Sequence, residues 1–303
     1  MFLCHMIERI HYYNCPVCNS ADIAAVTEAT DNTVSKELFT IWQCANCSLR
    51  FTQDAPVQND IGAYYQSASY ISHSNTNKGV INKLYHAVRS FTLRSKKKLV
   101  EENTESKKGN LLDMGAGTGA FATVMKKSGW NVTALEPDKT ARANAKKEFN
   151  IELQPSEILF NLHPDSFTVI TLWHVLEHVH ELHRYFEAFF SLLKQEGTLI
   201  IAVPNYTSCD ATEYSGAWAA YDVPRHLYHF SPKSMKLLLE KHNFKLKKIQ
   251  PMWFDSYYIS LLSEKYLTGR TRPLKAFISG TVSNLHAIKN KQKSSSLIYI
   301  AVK

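Results

Sequence analysis

The 303-residue sequence predicts an α/β fold whose central sheet has seven, mostly parallel strands. From residue 110 onward, short apolar runs typical of strands alternate with helical stretches, which is the pattern of a parallel sheet. A glycine-rich turn joins the first of these strands to its helix. The composition, 45% hydrophobic and 20% charged, is that of a globular domain large enough to bury a core.

Each strand of this sheet is predicted from a buried or alternating apolar run. The predicted strands cover residues 110–115, 131–137, 151–154, 166–173, 198–205, 244–253 and 295–303. The helix HELHRYFEAFFSLLKQEG is expected to end at its glycine, and Ser231 is a natural N-cap for SPKSMKLLLEKHNF. Two inserts interrupt the alternation, a lid insert at 206–230 and a mostly helical insert at 255–290.

The chain shows no apolar run of 18 residues, so we expect no membrane span. The apolar run in MFLCHMIERIH is too short for a secretory signal, which makes a cytoplasmic location the default expectation. The net charge of +8 is unevenly spread: residues 1–60 carry −4 and residues 232–303 carry +11. A basic block can hold RNA or an acidic substrate, or it can be a solvated helix face.

Four of the six cysteines form the pairs CPVC and CANC. Without an export signal such pairs indicate a metal site, and four thiolates around one ion suit a structural Zn²⁺. Two unrelated reduced pairs or a redox site are the alternatives. We therefore predict a zinc-ribbon-like module at 1–52 with ligands Cys15, Cys18, Cys44 and Cys47, followed by a linker and helical cap at 53–107.

The richest motif is LLDMGAGTGAF, which is followed by Glu136 at the end of the next strand. Glycines between strand and helix let a ligand approach the backbone, and an acid at the second strand tip accepts ribose hydroxyls. Nicotinamide enzymes usually carry G-x-G-x-x-G here, whereas this chain has GAGTG preceded by Asp113. An acid at Asp113 suits a cationic ligand group, so an ammonium-bearing adenosine ligand fits better than NAD.

DMGAGTG, together with ALEPD and TLWHVLEH, resembles class I S-adenosylmethionine (SAM)-dependent methyltransferases, of the group that includes ubiquinone-biosynthesis O-methyltransferases. The resemblance implies a Rossmann-like methyltransferase domain at 108–303 with SAM as cofactor. It implies that the glycine loop lines the methionine part of SAM, that Glu136 holds the ribose with Pro137 beside the adenine, and that Trp173 and His174 face the cofactor. The expected cofactor residues are Asp113, Gly115, Ala116, Gly117, Gly119, Glu136, Pro137, Trp173, His174 and Tyr70.

Other cofactor contacts are less defined. The stretch YYQSASYISHS is expected to cover the cofactor through Tyr65, Tyr70 or His73. The family often has an acid after the third strand that contacts adenine, and here only Ser156 or Glu157 is available for this role.

The WHVLEH stretch has three interpretations. His174, Glu177 and His178 match the inverted zinc-protease motif H-x-x-E-H, which needs both histidines on one helix. Related quinone O-methyltransferases have E-x-x-E-H, which implies a divalent cation, but His174 replaces its first acid and weakens such a site. We favour the third interpretation, in which Glu177 and His178 line the floor of the pocket.

The lid insert ends in YDVPRHLYHF, which follows the fifth strand. Ligands of open α/β sheets bind beyond the carboxyl ends of the strands, so this cluster is expected on the acceptor side. Arg225 is a candidate clamp for a carboxylate or phosphate, and His226 or His229 a candidate base, oriented by Tyr221 and Asp222. The alternative is a buried Asp222–Arg225 salt bridge that fixes the lid.

The sequence thus predicts an enzyme with catalytic candidates His226, Arg225, Tyr221 and His178. The favoured reaction is SAM-dependent O- or C-methylation of a small-molecule acceptor such as a sugar or phenol. An RNA methyltransferase is one alternative, although the acidic residues 1–60 argue against a ribbon that grips phosphate. A non-catalytic zinc scaffold is the other, and the intact glycine loop argues against it. No oligomeric state is predicted.

Overall fold

The computed structural model describes residues 7–66, 80–105 and 107–303, with the backbone alone for residues 80–87. Short antiparallel strands dominate the N-terminal part. They are β1 (Arg9–Ile10), β2 (Ile23–Thr30), β3 (Leu38–Cys44), β4 (Arg50–Thr52) and β5 (Ala55–Pro56). We call this part, β1 to β5, the cysteine module. β1 pairs with β5, and β2, β3 and β4 form consecutive antiparallel pairs.

The rest of the chain alternates strands and helices. The strands are β6 (Asn110–Met114), β7 (Asn131–Leu135), β8 (Phe167–Trp173), β9 (Leu193–Pro204), β10 (Tyr228–His229), β11 (Lys245–Pro251) and β12 (Ser296–Val302). The α-helices are α1 (Val80–Asn103), α2 (Ala120–Lys127), α3 (Lys139–Phe149), α4 (Leu182–Leu192), α5 (Cys209–Tyr214), α6 (Pro232–Lys241), α7 (Asp255–Thr268) and α8 (Pro273–Lys289). Single turns of 3₁₀ helix lie at Ile61–Tyr65, Ser156–Asn161, Leu176–His178, Ser215–Ala217, Ala219–Tyr221 and Lys291–Lys293.

The central sheet has the order β11-β12-β9-β8-β6-β7. β7, β6, β8 and β9 are parallel, and β12 runs antiparallel to both of its neighbours. Leu199 to Val203 of β9 are all fully buried, because helices cover both faces of such a sheet. The predicted α/β class and mostly parallel sheet are confirmed. Among the described residues, no helix is both long and apolar enough to cross a membrane.

The predicted count of seven strands is wrong, since this sheet has six. The expected strand at 151–154 makes only one bridge, between Leu135 and Gln154. Pro155 follows at once and has no N–H to continue a ladder, so the segment turns into a 3₁₀ helix. The helix expected to run to Gly197 also ends earlier, at Leu192, because Leu193 is buried and pairs with Phe167 at the start of β9.

The lid insert connects the two parts of the molecule. β10 leaves the central domain and pairs antiparallel with β4, which gives the second sheet the order β10-β4-β3-β2. Tyr228 lies opposite Phe51, and His229 lies opposite Arg50. Tyr228 and His229 belong to the YDVPRHLYHF cluster. This cluster is therefore an edge strand of the cysteine module and its preceding turn, and not a free surface loop.

A buried ion cluster fixes that connection. The Arg225 side chain is 1% exposed, and its guanidinium donates to both carboxylate oxygens of Asp222, at 3.1 and 2.6 Å. It also donates to Asp31 at 3.0 Å and to the Tyr64 carbonyl at 2.7 Å. Although burial acts in the opposite direction, backbone donation from Ser35 and the charge of Arg225 hold the pKa of Asp31 well below its usual range. This geometry is the buried Asp222–Arg225 salt bridge that the sequence offered as the alternative, with Asp31 as an additional partner. The Arg225 guanidinium is therefore not the clamp for an acceptor that the sequence also suggested.

The Arg225→Met substitution should lower the free energy of unfolding by about 3–5 kcal/mol, because it leaves Asp31 and Asp222 without their buried counter-charge. Urea titration measures the loss. The control is Arg184→Met, which breaks an exposed pair with Glu181 and should cost less than about 1 kcal/mol. Equal losses in the two variants would contradict a special role for the buried cluster.

Candidate active site

The site lies where four neighbouring parallel strands end. The glycine loop follows β6, Glu136 follows β7, the WHVLEH stretch spans the end of β8, and the lid insert follows β9. Because parallel strands point their carboxyl ends to one edge, these segments converge there.

The three glycines of the loop all have positive φ, of 64°, 54° and 73° for Gly115, Gly117 and Gly119. A Cβ at Gly115 would meet Val175 at 2.4 Å, and one at Gly119 would meet Ile151 at 2.9 Å, so both serve packing. At Gly117 no described atom lies within 4 Å of a Cβ. Gly117 is thus the position where the loop leaves room for a ligand against its backbone.

Glu136 closes the other side of this loop. Its carboxylate accepts from the Gly117 amide at 2.8 Å and from the Asp138 amide at 3.0 Å. Glu136 is 8% exposed, and burial raises its pKa despite these two donors. Pro137 follows it and is exposed, while Ala116 donates its amide to the Leu135 carbonyl. A carboxylate and an open glycine therefore lie side by side at this edge of the sheet.

Asp113 lies beneath the loop beside an unexpected cation. It is 1% exposed and accepts from the Thr171 hydroxyl at 2.8 Å. Burial raises its pKa to about 7, although Thr171 and the charge of Lys96 lower it. The Lys96 ammonium lies 4.4 Å from the centre of the Trp173 ring, and burial lowers its pKa to about 8. Trp173, packed edge-on against Phe121, thus presents a face that accepts a cation.

His174 leaves β8 with a φ of 58° and lies between two carboxylates. Its Nε2 is 2.9 Å from Asp255, and its Nδ1 is 3.3 Å from Glu177. Burial opposes its charge, but Asp255 and Glu177 together raise the pKa of His174 to about 10. His174 is therefore an imidazolium engaged on both nitrogens. It does not share a helix with His178, so the zinc-protease interpretation of this motif is wrong.

The structure brings Glu177, His178 and His226 together. One ligand atom of each lies within 4.8 Å of the others, and the two imidazole centres are 4.5 Å apart. Glu177 is fully buried, and its oxygens accept no well-formed hydrogen bond from the described residues. Two imidazoles and one carboxylate can hold a divalent transition metal or relay a proton.

Both histidines of this cluster have their orientation fixed by the backbone. His178 Nδ1 lies 3.0 Å from the Arg225 carbonyl, and His226 Nδ1 lies 2.8 Å from the Ala220 carbonyl. A carbonyl only accepts, so we assign the proton to Nδ1 in both rings, which leaves Nε2 with its lone pair. Burial and the nearby charge of His226 lower the pKa of His178 to about 4. His178 is thus neutral at physiological pH.

The remaining lid residues brace the insert. The Tyr221 hydroxyl accepts from Arg50 at 2.6 Å, and its ring packs edge-on against His229. The Thr52 hydroxyl lies 3.1 Å from His229 Nε2, so this histidine is engaged with the cysteine module. The polar side-chain atoms of Tyr221 and Arg225 therefore contact the cysteine module and the lid insert, and only the Arg225 backbone carbonyl contacts the Glu177–His178–His226 cluster. Tyr70 and His73 lie outside the described residues.

Four residues near the site were not singled out from the sequence. Lys96 and Arg89 are seven positions apart on α1, a spacing that places both on one helix face. Arg89 donates to Thr118 in the glycine loop at 3.0 Å. Asp255 comes from the helical insert and has no sequence signal, and Thr171 looked like an ordinary strand residue.

The cysteine module holds a second candidate centre. One sulfur of each of Cys15, Cys18, Cys44 and Cys47 lies within 4.8 Å of the others. The sulfurs of Cys15 and Cys47 are 3.4 Å apart, and those of Cys18 and Cys44 are 3.5 Å apart. Four thiolates at zinc–sulfur bond lengths of roughly 2.3 Å lie roughly 3.8 Å from one another. The donor set and its size therefore fit a tetrahedral ion.

A family model described as a methyltransferase domain matches residues 85–249, more than half of the chain. The chain belongs to this methyltransferase family. The predicted enzyme class and its use of SAM are confirmed by this membership.

The chain is also similar to individual proteins. The ubiquinone biosynthesis O-methyltransferase of Xanthomonas campestris pv. campestris (strain B100) is 28% identical over 160 residues, which cover 48% of this chain and 67% of that protein. The protein of the same name from Rickettsia typhi is 26% identical over 204 residues, covering 61% and 80%. A solved SAM-dependent methyltransferase from Archaeoglobus fulgidus aligns with a TM-score of 0.49 at 17% identity, covering 71% and 94%.

Asp113 gives this methyltransferase a pH-dependent stability. Because its pKa rises from 3.8 to about 7 on folding, its contribution is full below pH 4 and is lost as pH rises towards 7. The Asp113→Asn variant has no carboxyl that titrates at this position. Its free energy of unfolding minus that of the wild type should therefore rise by up to about 1.4 kcal/mol per pH unit between about pH 4 and 7. Urea unfolding of the SAM-free protein from pH 4 to 8 measures the difference. In the control variant Asp165→Asn, which alters an exposed carboxylate, the difference from the wild type should not change with pH. A difference that is also independent of pH for Asp113→Asn would refute the role assigned to the buried Asp113 carboxyl.

Proposed function

We propose that this methyltransferase transfers the methyl group of SAM to a hydroxyl or carbanion of a small-molecule acceptor bound beneath the lid insert. The observation that carries the proposal is the Glu177–His178–His226 cluster, which the segment after β8 and the lid insert form together. The names of the relatives describe O-methylation in ubiquinone biosynthesis, which favours a hydroxyl acceptor, and a phenol-like one over a sugar.

The cofactor residues we assign are those of the glycine loop and its neighbours. Gly117 offers the open backbone, Glu136 a charged acceptor for ribose hydroxyls, and Asp113 a carboxylate for an ammonium group. The Trp173 ring holds the Lys96 ammonium, which can in turn bind a carboxylate. Bound SAM would supply an electrophilic methyl group for direct displacement. These residues position it, and positioning supplies most of the rate enhancement.

His226 is the proposed base. Its Nδ1 is fixed on the Ala220 carbonyl, so Nε2 is the nitrogen that can accept the proton from the acceptor hydroxyl. His178 lies against it as a neutral ring, and the buried carboxylate of Glu177 would stabilise the imidazolium that forms. Such proton removal contributes about 10²–10⁴-fold to a rate. Arg225 and Tyr221 act on this base only by positioning the lid insert.

We propose that the cysteine module binds zinc and holds the lid insert in position, and that it does not bind RNA. Its β4 strand receives β10, and its Asp31 and Arg50 bind Arg225 and Tyr221. Residues 1–60 carry a net charge of −4, which disfavours contact with phosphates. These observations favour a small acceptor over a ribosomal or transfer RNA.

The Gly117→Ala variant should bind SAM at least roughly tenfold more weakly, because the new methyl group occupies the space left for the ligand. Gly269→Ala is a matched control, since Gly269 also has a positive φ and open space around its Cβ. Both changes cost similar backbone strain, and only the first should affect calorimetric SAM affinity. Unchanged affinity for Gly117→Ala would overturn the placement of the cofactor.

The His226→Gln variant should lower kcat by about 10²-fold or more and leave the SAM Kd nearly unchanged. His11→Gln, which alters an exposed histidine paired with Asp54, should change neither quantity. Turnover is measured against a panel of phenolic and sugar hydroxyls and a transfer RNA substrate. An unchanged kcat would refute the role of His226, and methylation of the RNA alone would refute the acceptor class.

Purified protein should contain about one zinc per chain, since four thiolates complete a closed tetrahedral site. The double variant Cys15→Ser, Cys44→Ser should lose it, whereas Cys209→Ser, which lies outside the cluster, should retain it. Elemental analysis measures both. Zinc that persists in the double variant would show that the metal is bound elsewhere.

A further inference from the structure

The helical insert packs with its apolar side outward. In α8 the residues that face the domain are all small, namely Ala276, Ser279, Gly280, Ser283 and Ala287. The large apolar residues of the same helix face solvent. They are Leu274, Phe277, Ile278, Val282, Leu285 and Ile288. This arrangement is the reverse of a surface helix in an ordinary globular domain, where the apolar stripe faces the core.

The neighbouring helix follows the pattern in part. α7 exposes Tyr258 and Leu267, each 58% accessible, and its buried residues are three serines with an isoleucine and a glutamate, namely Ser256, Ile259, Ser260, Ser263 and Glu264. The two helices pack against each other, with Tyr257 stacked on Phe277. We call α7 and α8 the helical pair. Both helices of the pair expose large apolar side chains, and a large exposed apolar patch is typical of an interaction site.

The exposed fractions are large for such residues. Leu274 is 74% accessible, Ile288 66% and Phe277 61%. Their spacing of three and eleven positions keeps them on one face of the helix. Since each lies on α8 and points away from the domain, they can enter an apolar phase together without any change in the fold.

The charges around this stripe are mainly positive, and Glu213, an acid that faces α8 from the neighbouring helix α5, is already paired with Lys275 at 2.8 Å. Between residues 255 and 293, all of which the structure describes, the only acids are Asp255 and Glu264, and both face inward. Asp255 pairs with His174, and Glu264 is 1% exposed, accepts from Tyr214 and lies 3.8 Å from the Arg272 guanidinium. The cations are all exposed. They are Lys265, Arg270, Arg272, Lys275, Lys289, Lys291 and Lys293.

This combination distinguishes between possible occupants. A two-fold contact between copies of the chain would bring two cationic sets together with no exposed carboxylate on either helical pair to neutralise them. A lipid surface with anionic headgroups would accept the apolar stripe between its acyl chains and the lysines and arginines at its headgroups. We propose that the helical pair is a docking surface for an anionic lipid bilayer.

The docking surface joins the active site through one residue. Asp255 begins α7, and its carboxylate lies 2.9 Å from Nε2 of His174, the residue that follows β8. Docking therefore attaches the catalytic domain to the bilayer through an element already fixed to its site. The proposal does not depend on the identity of the acceptor, because it rests on the exposed helices alone.

The test is co-sedimentation of the full chain with vesicles of phosphatidylcholine, with and without about one-third phosphatidylglycerol. We expect binding to the anionic vesicles, and weakening as salt rises. The variant Leu274→Gln, Phe277→Gln, Ile288→Gln should bind at least about tenfold more weakly, because three of the inserting side chains become polar. Leu38→Gln alters an exposed apolar residue of the cysteine module and should not change binding.

The triple variant must retain its SAM affinity and its unfolding transition, which show that it is folded. If it does not, the vesicle binding of the single variant Phe277→Gln is measured instead. Three results would overturn the proposal. They are no binding to either vesicle, equal binding to neutral and anionic vesicles, and a concentration-dependent dimer in sedimentation velocity that the same variant abolishes. The last result would assign the surface to a second copy of the chain. Loss of methyl transfer with vesicle binding intact would instead concern the proposed function.

Discussion

The guanidinium of Arg225, buried between Asp31 and Asp222, is the interaction on which the arrangement of the site depends. It links a loop of the cysteine module to the turn that precedes β10. A buried charge without its partner is strongly unfavourable. The loop that carries Asp31 and the turn that carries Asp222 and Arg225 therefore cannot separate without leaving a buried charge unpaired. The lid insert is therefore held in one position relative to the methyltransferase sheet.

Residues next to Arg225 convert that position into active-site geometry. The Thr52 hydroxyl donates to the His226 carbonyl at 2.7 Å, and the Thr52 amide donates to the Leu227 carbonyl at 3.0 Å. From the other side, the Leu227 amide donates to the Glu177 carbonyl at 2.8 Å. The backbone at 226–227 is thus gripped by the cysteine module and by the loop after β8. The His226 ring faces His178 because both of these contacts are made.

The sequence predicted the parts of the site that follow from local pattern. The glycine loop, Glu136 and the strand ends are each specified within a few residues, since periodicity and turn chemistry are local properties. The Asp222–Arg225 salt bridge was one of two interpretations of the sequence, but its extension to Asp31, 194 positions away, was not predictable. The pairing of Asp255 with His174, 81 positions away, was not predictable for the same reason. The packing of α8 through its small residues was not predictable either. The spacing of small and large residues defines two faces of a helix, but it does not say which of them packs against the domain.

The central claim is that the cysteine module holds the lid insert in its catalytic position. Hydrogen–deuterium exchange of the Cys15→Ser, Cys44→Ser variant tests it most directly, with amides of the lid insert and of β6 to β9 followed separately. The account predicts that protection at Leu227 and His229 falls at least about tenfold while the central sheet keeps its protection. Protection of the lid insert that stays at the wild-type level while the cysteine module itself exchanges freely would contradict it.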